Sequence, residues 1–145
     1  QKVDKEEQLT SVVQTQNVAL NEAVQALGPY LVQTDERIRG RAYHCLNLVL
    51  KNLSAPQKTS TPSTALASLV RFLGDRFDDY ECVADLLACV VTTLYMWNVV
   101  IPVDQLTYLL SQLVAEVNVQ SLNQKARMLA LDVYDYFLVN HQQCM

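Results

Sequence analysis

Glycine and proline are scarce in this chain. Three Gly and four Pro in 145 residues are too few for the many tight turns of a β-rich fold. Charged residues make up 18% and hydrophobic residues 50%, a balance that excludes a disordered or low-complexity protein. Basic residues are outnumbered by acidic ones, 11 to 15, for a net charge of −4. The surface as a whole is therefore not built to sheathe a nucleic acid. No CxxC pair occurs among Cys45, Cys82, Cys89 and Cys144, and His44 and His141 are not at zinc spacing. Scattered cysteines of this kind read as buried or half-buried free thiols and point to a reducing compartment. No initiator Met, signal peptide or transit-like start is present, and both ends read as cut from a longer chain.

Catalytic signatures are missing as well. Gly28, Gly40 and Gly74 stand alone, so there is no glycine-rich phosphate loop, and GxSxG and HExxH do not occur. Asp75, Asp78, Asp79 and Glu81 form an acidic cluster, best read as a solvated turn with helix caps rather than a paired-carboxylate site. These absences predict a protein that is not an enzyme and holds no resident cofactor or metal. A charge-free run from Leu86 to Val103 approaches the ~20 apolar residues of a membrane span. It is interrupted by Thr92, Thr93, Asn98 and Pro102 and has no basic anchor at either flank. It is expected to be a helix covered by its neighbours.

What the chain does have is apolar residues at helical spacing almost throughout, with no run alternating at period two. Six helices are predicted, over about 17–32, 36–53, 63–77, 80–97, 103–117 and 123–139. Gly28-Pro29 falls inside the first and should bend it. Ser54 to Thr64, polar with two prolines, reads as a loop. The helices come in pairs whose starts recur about every 40–46 residues, the period of HEAT and armadillo-type repeats. The expected fold is an all-α, right-handed α-α superhelix of this solenoid type. Three repeats are expected, at 17–53, 63–97 and 103–139. A polar segment over 1–16, with room for a short helix, precedes them, and a tail over 140–145 follows. Stacked pairs share one core, and the second helices line one face.

Local detail supports that repeat. Pro29 lies in the leading helix, Asp35 in the turn, and Ile38-Arg39 at the start of the second helix. Asp78 and Asp79 hold the matching turn of the second pair without a following arginine. Lys125 and Arg127 stand near the matching place in the third. The turn carboxylate should cap the second helix, and Arg39 is expected to pair with Asp78 or Asp79. Arg37, Arg39 and Arg41 are half of the six arginines. They read as one repeat-stacking arginine and two solvated ones rather than a phosphate site.

Three stretches carry a family resemblance. They are Leu27-Gly28-Pro29-Tyr30-Leu31 with Thr34 to Arg39 and Leu46 to Leu50; Phe72 to Asp79; and Val117-Asn118-Val119-Gln120-Ser121-Leu122-Asn123-Gln124 followed by Arg127. Taken in order, they resemble the N-terminal HEAT region of the methyl-methanesulfonate-sensitivity scaffold of the cytosolic iron–sulfur assembly (CIA) targeting complex. The resemblance covers about residues 17–139. The chain departs from that family in lacking a glycine within the fourth helix and in having Asn123 where a proline is usual.

The resemblance implies a non-catalytic adaptor, cytoplasmic and nuclear, that helps hand iron–sulfur clusters to apo-enzymes of DNA replication, repair and transcription. Its implied partners are client helicases and polymerases, and the other CIA targeting subunits through the rest of the scaffold. No direct nucleic-acid or membrane contact is implied, and the cluster is not expected to bind to these repeats. If the second helices line the concave face, the contact residues expected from the repeat reading are Arg41, His44, Asn47, Lys51, Asp85, Lys125, Met128, Asp132 and Asp135. Their alternating charge suggests a mixed-charge partner and salt-sensitive association. The alternatives are a HEAT adaptor of trafficking or nuclear transport and, further off, a HEAT-type nucleic-acid binder or glycosylase, which would need a basic groove.

Overall fold

A computed structural model describes residues 20–53, 63–97 and 101–141. Among them there are six α-helices and no strand, and the fold is all-α, of helical-repeat type. The chain divides into two compact units, residues 1–61 and 62–145. The polar segment expected over 1–16, nearly all of the Ser54–Thr64 stretch and residues 142–145 lie outside the described residues.

In the first unit, α1 (Leu20–Leu31) packs against α2 (Glu36–Asn52) across a short turn. Leu20, Ala23, Leu27 and Leu31 bury one stripe of α1, and Ala42, Tyr43, Leu46, Val49 and Leu50 are buried on α2. Each large apolar side chain taken from water stabilises the fold by roughly 1.5–3 kcal/mol. Pro29 stands inside α1, two residues before its end, where a proline withholds a backbone donor yet spoils only the last turn. Asp35 is the N-cap of α2, its carboxylate accepting from the Arg37 N–H at 2.9 Å. Arg39 closes the turn from the other side, with its Nη1 donating to the carbonyls of Gln33 (2.9 Å) and Thr34 (2.8 Å).

The second unit holds α3 (Ser63–Gly74), α4 (Val83–Trp97), α5 (Val103–Glu116) and α6 (Gln124–Asn140). Alpha-3 lies along α5 and α4 along α6, while α3 also meets α4. First helices thus stack on first helices and second on second, the layering that repeated helix pairs produce when neither can bury its apolar stripe alone. The core between the layers includes Leu66, Leu73, Phe77, Leu86, Leu94, Trp97, Leu106, Leu113, Val133 and Phe137, all at most 1% exposed. Alpha-3 is shorter than the periodicity predicts. It ends at Gly74, and Asp75 to Asp78 turn, so Phe77 reaches the core from a turn and not from a helix. The fourth helix opens with one 3₁₀ turn, Tyr80–Cys82, before becoming α-helical at Val83.

The stretch Tyr80–Trp97 meets the length and hydropathy of a membrane span, yet 56% of it is buried inside the protein. Its two buried threonines need partners in an apolar setting. Thr93 finds one by donating its hydroxyl to the Cys89 carbonyl at 2.8 Å. Between the first helices, Gly74 lets the Tyr108 ring approach. A methyl group there would stand 3.4 Å from the ring. Arg71 lies 3.9 Å over the centre of that ring, and the Tyr108 hydroxyl donates to the Asp75 carboxylate.

Candidate protein-binding surface

Three turn positions organise the second-layer helices. Asp35, Asp79 and Asn123 are the N-caps of α2, the 3₁₀ turn before α4, and α6. They recur at a constant interval of 44 residues. Asn123 accepts from the Ala126 N–H at 2.9 Å. Asp79 makes no such side-chain cap bond, which corrects the expectation of a carboxylate cap from it in the turn of the second pair. The Asp79 backbone carbonyl accepts from the Cys82 N–H at 3.1 Å in the 3₁₀ turn. Four residues beyond each cap stand Arg39, Val83 and Arg127. Arg127 repeats the clamp of Arg39. Its Nε donates to the Val119 carbonyl (3.2 Å), and its Nη2 donates to those of Gln120 and Leu122 (3.0 Å each). Lys125, two positions off this register, is exposed.

On α2 the outward ridge is Arg41, His44, Leu48 and Lys51. Asn47, expected to face outward, is instead buried at 8% exposure. One residue on a helix is a 100° step, and the ridge runs through Leu48, 38% exposed, in its place. These residues belong to the first unit; the remaining candidates belong to the second.

On α6, Lys125, Met128, Asp132 and Asp135 are all exposed. Asp85 is half-buried near the start of α4. It stands ten residues before Tyr95, about 15 Å along the helix at ~1.5 Å per residue, so the structure does not bring it beside Tyr95. Tyr95 itself carries no sequence signal as a contact residue, because tyrosine at helical spacing reads as core or rim. In the fold it is 49% exposed and fixed to α6. Its hydroxyl donates to the Asp132 carbonyl at 3.1 Å, and its ring meets that of Tyr136 edge-on, centroids 5.3 Å apart. Partial burial, then the charges of Asp135 and Asp132, push the Tyr95 hydroxyl above the ordinary tyrosine range.

Cys82 and Cys89 are buried in the second unit, and Cys45 is half-buried on α2. Among the described residues no group of three or more His, Cys, Asp and Glu is placed to hold a metal. A shallow groove of roughly 470 Å³ between α3 and α5 is lined by Ala67, Ser68, Arg71, Phe72, Asp75 and Gln105. Its rim charges, Arg71 and Asp75, are already engaged with Tyr108.

A family model described as the Dos2-interacting transcription regulator of RNA polymerase II, the N-terminal region of MMS19, matches residues 24–145. No curated protein and no solved structure matches the chain.

Proposed function

The chain belongs to this MMS19 N-terminal family, and from that premise we propose that it helps deliver iron–sulfur clusters to apo-enzymes of DNA replication, repair and transcription. The family is of scaffold type, and its partners are proteins. The match over residues 24–145 carries the reading. The cluster is cargo of the assembly and is not held by these helices. Client helicases and polymerases are the proposed partners, in cytoplasm and nucleus, with the other targeting subunits engaged elsewhere on the scaffold. Three HEAT-like repeats, 17–53, 63–97 and 103–139, are the proposed units of that scaffold. The 44-residue recurrence of the caps supports that division.

A second reading follows from the family description itself, namely contact with a Dos2-type protein in RNA polymerase II regulation. Affinity capture with residues 1–145 as bait, at low and high salt and read by mass spectrometry, separates the readings. Enrichment of iron–sulfur helicases or polymerases is the expected outcome. Recovery of transcription-regulatory partners alone would favour the second reading, and coat or transport proteins would move the function to another HEAT adaptor class. An empty capture would place client binding outside these residues.

A further inference from the structure

On α6, Met128, Leu131, Asp132 and Asp135 fall within an arc of about 100° at 3.6 residues per turn. All four are exposed, Met128 at 57% and Leu131 at 48%. Tyr95 stands beside them from α4, anchored through its hydroxyl to the Asp132 carbonyl and through its ring to Tyr136. Its remaining ring surface is open to solvent next to Asp132. A restrained aromatic ring loses little freedom on binding, which makes it an efficient contact group.

The charges that act on its hydroxyl have one sign. Alpha-4 contains no Lys or Arg, and α6 contains only Lys125 and Arg127. The Arg127 guanidinium is turned onto the carbonyls of the preceding turn, and exposed Lys125, on the same face one turn before Met128, lies two turns before Asp132. The raised Tyr95 pKa has the same origin in part, since both carboxylates act on its hydroxyl. An aromatic face flanked by two carboxylates attracts an ammonium or guanidinium through the ring quadrupole and through charge. Met128 and Leu131 accept apolar side chains beside it, thioethers being adaptable in shape.

We propose that Tyr95, Met128, Leu131, Asp132 and Asp135 form a docking surface for a basic, partly apolar peptide segment of a protein partner. A lysine or arginine of that segment lies against Tyr95 between the two carboxylates, and apolar side chains cover Met128 and Leu131. This deepens the scaffold reading and rests on it for the presence of a protein partner. The polarity excludes phosphate-rich ligands from the same face.

The test uses residues 1–145 and two defined 16-residue amphipathic peptides, one of leucine and lysine and one of leucine and glutamate, titrated calorimetrically. The lysine peptide should bind and the glutamate peptide should not. Raising NaCl from about 50 to about 300 mM should weaken binding, as screening of exposed charge requires. The double variant D132N/D135N removes two exposed charges and leaves the packing intact. It should weaken binding of the lysine peptide about 3- to 10-fold, the range for two exposed charge contacts. Backbone amide shifts on titration should centre on α4 and α6. Equal binding of both peptides, an unchanged affinity in D132N/D135N, or shifts centred elsewhere would each overturn the proposal. Client capture by the native chain without lysine-peptide binding defeats this surface and leaves the scaffold reading standing. Peptide binding with an empty client capture does the reverse.

Discussion

Two arginines hold the turns of this fold, and each does so by the geometry of a fork. Arg39 spans two carbonyls and Arg127 three. Those carbonyls lie in the turns before the helices, outside the α-helical ladder, and Val119 also accepts from the Leu122 N–H of its 3₁₀ turn. Both residues stand four past a capping Asp or Asn, so the cap satisfies the helix N–H groups while the arginine satisfies the turn oxygens. Replacing Arg127 by Ala should cost about 1–2 kcal/mol, less than three charge-assisted bonds would suggest, because the site is exposed. Arg127→Lys should recover little of it, since an ammonium is a point donor on a flexible stem and does not reproduce the fork. Urea denaturation of the two variants checks this, and full rescue by lysine would show that charge alone matters. Tyr108 gives a second residue-scale prediction. Its hydrogen bond to Asp75, aided by desolvation, raises its pKa above 10.0. A raised folded pKa means that the contribution is fully present below pH 10 and is lost as pH rises through the folded value. The stability gap between the native chain and Tyr108→Phe, measured by chemical denaturation from about pH 8 upward, should therefore stay flat and then shrink in alkali. A gap that grows with pH would contradict the assigned hydrogen bond.

At the scale of the element, the helices form because apolar residues recur at 3.6-residue spacing, and the side chains of Asp35 and Asn123 cap the starts of α2 and α6. Asn123→Ala should cost about 1 kcal/mol by freeing the Ala126 N–H, and a smaller effect by thermal melting would mean that water replaces the cap. Leu86, fully buried on α4, should cost roughly 2–5 kcal/mol as Ala, because its neighbours relax only partly around the missing atoms. Trp97, the single tryptophan and 1% exposed, reports that loss by fluorescence from the same helix. The periodicity reveals these helices well, for the same reason that the core is theirs: burial and spacing are one signal. It does less well where the helix departs from regularity. Phe77 reads as helical by spacing but sits in a turn, since Gly74 and the following Asp residues stop α3 first. Asn47 faces inward and Leu48 takes its outward place because a 100° step is finer than an apolar stripe can resolve. Tyr95 is invisible as a contact residue until α4 and α6 lie side by side, since its exposure and its carboxylate neighbours are made by packing and not by order in the sequence.

At the scale of the whole molecule, charge is distributed by helix. The ridge of α2 carries Arg41, His44 and Lys51, while α6 offers Asp132 and Asp135. Under the proposed scaffold role, the acidic and the basic residues would each meet a partner segment of opposite charge, and each association would answer to salt. Reversing Arg41 and Lys51 together to Glu tests the basic half of that arrangement. Both side chains are exposed, so the folded core should be undisturbed and the circular dichroism unchanged. Client capture by residues 1–145 should fall several-fold at low salt and converge with the native chain at high salt, where exposed charges are screened. The neutral pair Arg41→Gln and Lys51→Gln should fall less, because it removes attraction without adding repulsion. Equal capture by all three proteins at low salt would take the α2 ridge out of the binding surface. Any remaining electrostatic recognition would then belong to the acidic face of α6, where D132N/D135N reads it independently.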